Sequence, residues 1–309
     1  MLNTLKQLFR NNYKTAPDVP VLNAAAMHHA ESFDMLVKNL NTYFANHPER
    51  NIYAKELAFL NSGFKADPGI DKINYAIFPY DFILGYDYRA IPVYFDETAA
   101  MFFVYLDGKK LYYHKGYTNA ADVQKSFTFL LAEQHPDSPH CYLGKDLQLG
   151  SNEVVADLGA AEGNFSLLVV DQVKELIIVE ADTSWIEALH KTFEPWKDKV
   201  RIIGKSAGCI NDEKTITLNK LEEGNAITFV KMDIEGSETS VINYAESYIG
   251  SHHLKLAVTT YHGYEDAGVI KSILERNDYH TWFSDGYMLF ISDDLTPPYF
   301  RKTLVKAYK

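Results

Sequence analysis

The sequence predicts an α/β fold: a doubly wound, mainly parallel sheet in the second half of the chain, preceded by a smaller α+β part. Three observations carry this. From residue 153 onward, short apolar runs alternate with helical segments, the rhythm of buried parallel strands joined by crossover helices. A glycine-bearing loop, Asp157 to Gly163, follows the first of these runs and opens a helix. Before residue 135 the pattern is different, with long helical segments enclosing short aromatic runs.

In the first part, residues 24–47 and 119–134 read as helices. Between them lie the aromatic runs 75–84, 91–95, 101–106 and 111–113. Asp107-Gly108 separates the last two and is a favoured tight-hairpin dipeptide, so a small antiparallel sheet is expected. His28 and His29 lie on consecutive faces of the helix and cannot chelate one ion together. The second helix stops at His135-Pro136-Asp137-Ser138-Pro139-His140, because proline lacks the amide donor and biases its predecessor toward extended geometry. The boundary between an N-terminal accessory domain, 1–134, and a second domain, 135–309, is placed there. The first domain is expected to cover the ligand edge of the sheet and to contribute to acceptor choice.

In the second part the expected strands are 154–156, 176–179, 200–203, 227–232 and 254–260, and the expected helices 164–173, 183–193, 237–248 and 267–277. Two last runs, 279–283 and 287–291, flank Ser284-Asp285-Gly286 and read as a terminal hairpin. Arg301, Lys302, Lys306 and Lys309 after it read as a solvated basic tail.

With 47% hydrophobic and 23% charged residues, a packed core is expected and wholesale disorder is not. The 21 Tyr and 18 Phe read as part of that core rather than as a sugar-stacking surface. A net charge of −11 without clustered Lys and Arg argues against a nucleic-acid partner. Cys141 and Cys209 are too few for a disulfide framework or a cysteine zinc site. The first 15 residues carry charges and no leader-like apolar run, and no run is long enough to span a bilayer. The expectation is a soluble cytoplasmic protein with no membrane partner.

Three places carry chemistry. The first is Asp157-x-Gly159-x-x-x-Gly163, where glycines permit positive φ and close approach of a ligand to a helix N-terminus. Ala161 stands where the dinucleotide fingerprint wants its second glycine, which disfavours a dehydrogenase. Asp157, Gly159, Ala160, Gly163, Asn164 and Phe165 are therefore candidate cofactor contacts. The second is Glu180, at the end of the next strand, where a carboxylate can accept both hydroxyls of a ribose. Trp185 in the following helix is a candidate to pack on an adenine. The third is Lys231-Met232-Asp233-Ile234-Glu235-Gly236-Ser237-Glu238, which crowds charge onto the carboxyl end of the fourth strand, the edge where open α/β sheets bind ligands. Glu238 alone would be explained as a first-turn acid favoured by the helix dipole.

Taken together, the strings 157–163 and 231–238 resemble the FkbM family of methyltransferases, over about residues 135–295. The lysine–aspartate–glutamate–glycine string is the specific part; the glycine loop is shared by most class I methyltransferases. The resemblance implies the Rossmann-like, seven-stranded class I methyltransferase sheet and S-adenosylmethionine as donor. It also implies, in the usual case, O-methylation of a sugar, glycan or polyketide hydroxyl. By that resemblance Asp157, Gly159 and Gly163 would cradle the methionine part, Glu180 the ribose, and Ser206 and Ala207 would lie near the adenine. Asp233 would sit beside the reacting methyl group.

Tyr261-His262-Gly263-Tyr264-Glu265-Asp266 is similar to a tyrosine–histidine stretch in many members of that family. His262 is the candidate base for the acceptor proton, with Asp233 the other catalytic candidate. Alternatively, Asp233, Glu265 and Asp266 would bind a divalent cation such as Mg that acidifies the acceptor. A nitrogen acceptor in a small molecule or protein, and a catalytically inactive binding module, are the competing functions. The expected partners are a small-molecule or carbohydrate acceptor and, as a second candidate, another copy of the chain.

Overall fold

The computed structural model describes residues 22–23, 30–62, 76–222, 226–290, 294–295 and 299–309. The first part comprises β1 (Leu22–Asn23), α1 (Ala30–Phe44), α2 (Ala54–Asn61), β2 (Tyr94–Asp96), β3 (Met101–Leu106), β4 (Lys109–Tyr112) and α3 (Ala120–Glu133). Then come β5 (Val154–Leu158), α4 (Asn164–Val169), β6 (Glu175–Val179), α5 (Thr183–Thr192), β7 (Val200–Ile203), β8 (Ser206–Ala207) and β9 (Thr215–Ile216). They are followed by β10 (Phe229–Met232), α6 (Glu238–Tyr244), α7 (Glu246–Ser251), β11 (Lys255–Thr259), α8 (Asp266–Arg276) and β12 (His280–Phe283). The chain closes with β13 (Met288–Leu289), β14 (Asp294–Leu295), β15 (Phe300–Arg301) and β16 (Leu304–Tyr308).

The expected α/β sheet has seven strands in the order β12–β16–β11–β10–β5–β6–β7. Strands β11, β10, β5, β6 and β7 run parallel, and β16 is antiparallel to both of its neighbours. Every residue of β5 and β10 is buried, as a strand covered on both faces requires. From β5 the chain winds outward through β6 and β7, then returns to the other side of β5 as β10. The crevice at the carboxyl ends of β5 and β10 is thus the topological switch point at which such sheets bind ligands.

One face of the sheet packs on α4 and α5 and on β3, β4 and α3 of the first part; Leu111, Phe127, Val155, Leu167 and Phe229 belong to a single apolar cluster. Helices α6, α7 and α8 cover the opposite face. The boundary expected at residue 135 therefore does not separate two cores, because residues 101–130 supply part of the covering layer of the sheet. A further apolar cluster joins α1 and α2 to Leu289, Tyr299 and Phe300.

The end of the chain differs from the sequence reading. Residues 280–283 do form a strand, but its partner is β16, while β13 pairs with β15 in a separate ribbon. The segment read as a solvated basic tail is the seventh strand of the sheet. Leu304, Val305 and Ala307 are fully buried, and Lys306, only 4% exposed, reaches Asp146 at 3.1 Å. A lysine whose charge is met by a distant partner disguises an apolar strand. The helix expected over 237–248 is divided into α6 and α7, and that over 24–47 is described from Ala30, so residues 24–29, with His28 and His29, lie outside the described residues; so do positions 75 and 291. No helix among the described residues is long and apolar enough to cross a membrane.

Truncation after Lys302 should abolish cooperative folding, since two fully buried aliphatic side chains alone represent about 3–6 kcal/mol. Thermal melting followed by circular dichroism tests this, and an unchanged melting temperature would return the segment to the role of a tail.

Candidate functional site

The loop after β5 is held by its neighbours more than by its own bonds. Gly159, Ala161 and Gly163 have φ of +76°, +47° and +82°. A Cβ on Gly159 would fall 1.7 Å from the carbonyl oxygen of Asp233, and one on Gly163 would fall 2.7 Å from Leu189 of α5. Both positions thus need glycine for close packing as well as for backbone conformation. Glu180 closes the loop from the side: its Oε2 accepts the Ala161 amide at 2.7 Å and its Oε1 the Asp182 amide at 2.6 Å.

Beneath the loop, Asp157 and Lys231 are paired residues of β5 and β10. The Lys231 ammonium lies 3.0 Å from Asp157 Oδ1 and donates to the Gly159 carbonyl at 2.6 Å. Asp157 is fully buried, and its other oxygen accepts the Ser166 hydroxyl at 2.6 Å. Its side chain is therefore committed to Lys231 and Ser166 and supports the loop from below. Burial works against the charge on Lys231, but Asp157, Asp233 and Glu180 outweigh it and raise its pKa.

The turn from Asp233 to Glu238 is fixed from within. Glu235 and Gly236 have φ of +57° and +94°. Glu238, fully buried at the start of α6, accepts the Ile234 amide at 2.7 Å and the Gly236 amide at 3.0 Å, and also the Thr259 hydroxyl at 3.1 Å. Its carboxylate also lies 3.0 Å from His262 Nδ1. Glu238 is a cap and an anchor for His262, in keeping with its place in the first helical turn.

Asp233, 17% exposed at its side chain, is the centre of a polar group drawn from three segments. Tyr142 donates to its Oδ2 at 2.7 Å and Tyr261 to its Oδ1 at 3.4 Å, while His140 and His262 approach to 3.6 and 3.8 Å. Burial would raise its pKa, but Lys231, the two histidines and the Tyr142 hydroxyl hold it below the usual carboxylate range. The two histidines diverge. Burial dominates at His140 and pushes its pKa down to about 4, so that it is neutral. Burial also disfavours the charge on His262, but Glu238, Asp233 and Glu235 outweigh it and lift its pKa to about 9. The expected base is therefore an imidazolium at neutral pH.

Other expectations fall differently. Trp185 is buried among Tyr113, His114 and Tyr117, with the His114 ring centroid at 4.3 Å, so it binds α5 to the first part of the chain. Phe165 is buried against the rings of Tyr142 and Phe229. Ala160 is buried in the loop, Asn164 is half-buried at the first turn of α4, and Ser206 and Ala207 form β8 beyond the end of β7, paired with β9. Asp233, Glu265 and Asp266 are not gathered into one site. Asp266 accepts the Thr239 hydroxyl at 2.6 Å and the Gly263 amide, Glu265 is exposed, and the acidic and imidazole atoms clustered among the described residues are those of Asp233, Glu238 and His262. With Glu238 and His262 already paired, that cluster is an ion-pair network.

Sequence reasoning missed His140, Tyr142 and the buried Glu162. The first two sit in and beside the segment read as a boundary, and Tyr142 is 91 positions from the aspartate it binds. No local periodicity marks such residues. Glu162 lies within the quoted loop, but nothing in the sequence reveals its burial. A cavity of about 790 Å³ lies elsewhere, beside α8, lined by Tyr53, Tyr264, Tyr287 and Lys302; none of Asp157, Glu180 and Asp233 lines it.

No family model and no curated protein matches the chain. Among solved structures it is similar to the methyltransferase FkbM from Methylobacillus flagellatus KT, at 22% identity over 61% of this chain and 54% of that one, with a TM-score of 0.43. It is also similar to a precorrin-6y C5,15-methyltransferase from Geobacter metallireducens GS-15, at 10% identity over 52% and 84%, with a TM-score of 0.37. An rRNA methylase from Streptococcus thermophilus follows at 13% identity over 52% and 89%, with a TM-score of 0.34. The chain thus spans about half the length of the FkbM structure.

Lys231→Met should destabilise the fold by about 3–5 kcal/mol, because it leaves the Asp157 carboxylate buried without its cation; urea unfolding measures this, and a loss below about 1 kcal/mol would mean the pair is dispensable. His262 gives a pH signature. Its pKa rises on folding, so its stabilising contribution is complete below the unfolded value near 6.5 and is lost as pH rises through about 9. Unfolding free energy should fall by roughly 3 kcal/mol across that window in the wild type. His262→Gln should lack the fall, and parallel profiles for the two proteins would contradict the assignment.

Proposed function

We propose that the chain is a methyltransferase that uses S-adenosylmethionine and methylates an oxygen of a small-molecule or carbohydrate acceptor. One observation supports this above the others: a carboxylate, Glu180, stands at the end of β6 beside a strained loop, and an ionised aspartate, Asp233, faces the same crevice from the end of β10. A carboxylate offers about four lone-pair sites, and two backbone amides use two of those on Glu180, which leaves acceptors for the two hydroxyls of a ribose.

S-adenosylmethionine supplies, when bound, a methyl group on a positive sulfur; the group passes to the acceptor oxygen, the C–S electron pair stays on sulfur, and the acceptor proton leaves to a base or water. Such a transfer needs orientation more than covalent help. Lys231 and Glu180 hold the loop in place. Asp233 orients and accepts the acceptor hydroxyl, with Tyr142 and Tyr261 fixing its carboxylate. His262 keeps Asp233 ionised and, as an imidazolium, takes no proton from the acceptor below about pH 9. The carboxylates around Asp233 favour an amine acceptor as the second reading. A nucleic-acid acceptor fits poorly with a net charge of −11.

Calorimetry should give micromolar binding of S-adenosylmethionine and of its demethylated product, and labelled methyl transfer to panels of hydroxyl, amine and RNA acceptors should favour hydroxyls. Absence of cofactor binding would end the proposal. Glu180→Ala should weaken cofactor binding by roughly 1.5–3 kcal/mol through lost charged hydrogen bonds. Unchanged affinity would remove Glu180 from the site.

A further inference from the structure

Glu162 lies in the glycine loop with 3% of its surface exposed, yet no cationic side chain comes within ion-pair distance of it among the described residues. Its contacts are its own backbone amide and the Ser126 hydroxyl of α3 at 3.4 Å, and Ser126 in turn accepts from Tyr117 at 3.2 Å. The ammonium that bears on it, Lys231, is already committed to Asp157 and the Gly159 carbonyl. The other ionisable groups that bear on it are Glu180 at the end of β6, Glu133 at the end of α3, and the phenols of Tyr113 and Tyr117.

Burying a carboxylate without a cation is unfavourable, so such a group either holds a proton or awaits a positive ligand. Burial, reinforced by the like charge of Glu180, lifts its pKa to about 7. The free protein therefore keeps an unmatched acid two residues from Ala160, in the loop that Glu180 closes.

We infer that Glu162, positioned by Ser126 of α3, receives the α-ammonium group at the amino-acid end of the cofactor. This rests on the methyltransferase reading. The cofactor carries two positive groups; the sulfonium must face the acceptor near Asp233, so the cation that falls to Glu162 is the ammonium. The first part of the chain then takes part in donor recognition through α3.

The test compares S-adenosylhomocysteine with 5′-methylthioadenosine, a thioether of the same nucleoside that lacks the amino-acid end. Calorimetry in buffers of different ionisation enthalpy reads both affinity and proton exchange. Below pH 7 Glu162 holds a proton that the ammonium must displace. The wild type should therefore release a proton on binding S-adenosylhomocysteine at about pH 6, with affinity rising toward pH 7 and levelling above it, and should show no such release with methylthioadenosine. Glu162→Gln should lose roughly ten- to a hundredfold in affinity for S-adenosylhomocysteine, bind methylthioadenosine unchanged, and release no proton. Wild-type affinity of Glu162→Gln for both ligands, or equal proton release by the wild type with both, overturns the assignment. If Glu162→Gln does not fold, the wild-type comparison decides alone. A wild type that binds neither nucleoside overturns the methyltransferase reading itself, a result distinct from failure of the Glu162 assignment.

Discussion

A buried ion pair joins the two central strands of the sheet. Lys231 and Asp157 are register partners on β10 and β5, both almost without solvent, and the lysine extends past the aspartate to the carbonyl of Gly159. The placement of the site depends on this contact. It ties the end of β10, with Asp233, to the loop that ends β5, with Gly159 to Gly163. Because a Cβ on Gly159 would strike the Asp233 carbonyl, the two strand ends approach as closely as backbone allows. A pair of this kind adds little stability over an apolar one, and loss of either partner is costly, so its value is in fixing one arrangement.

Around that fixed point the charges are sorted by partner. Asp233 stays ionised because cations and hydroxyl donors surround it. His262 stays protonated because Glu238, 3.0 Å away, helps outweigh burial, whereas burial dominates at His140 and leaves it neutral. Glu162 is left without a cation among the described residues, so it either holds a proton or awaits a positive ligand. The same crevice thus holds anions and cations committed to one another, beside one buried acid with no cation among the described residues.

Much of this is legible in the sequence where the information is local. The alternation of β5, α4, β6, α5 and β7 predicts the doubly wound sheet, and the strings 157–163 and 231–238 mark the two strand ends that meet. What the sequence hides is non-local. The seventh strand reads as a basic tail because Lys306 is neutralised by Asp146, 160 positions away. His140 and Tyr142 come to Asp233 from in and beside the segment that reads as a boundary. Asp157 and His262 have the residue types expected of contact and base, but their buried partners give them supporting and charge-holding parts. β3, β4 and α3, which precede the boundary placed at residue 135, share an apolar cluster with the sheet, a contact that no local pattern announces.

The proposed donor site is the crevice at the ends of β5, β6 and β10. A crystal structure of the protein grown with S-adenosylhomocysteine tests it most directly. The expected result is the ribose on Glu180, the amino-acid end toward Glu162 and the sulfur before Asp233. A ligand seated instead in the cavity beside α8, with the loop from Gly159 to Gly163 untouched, would contradict it.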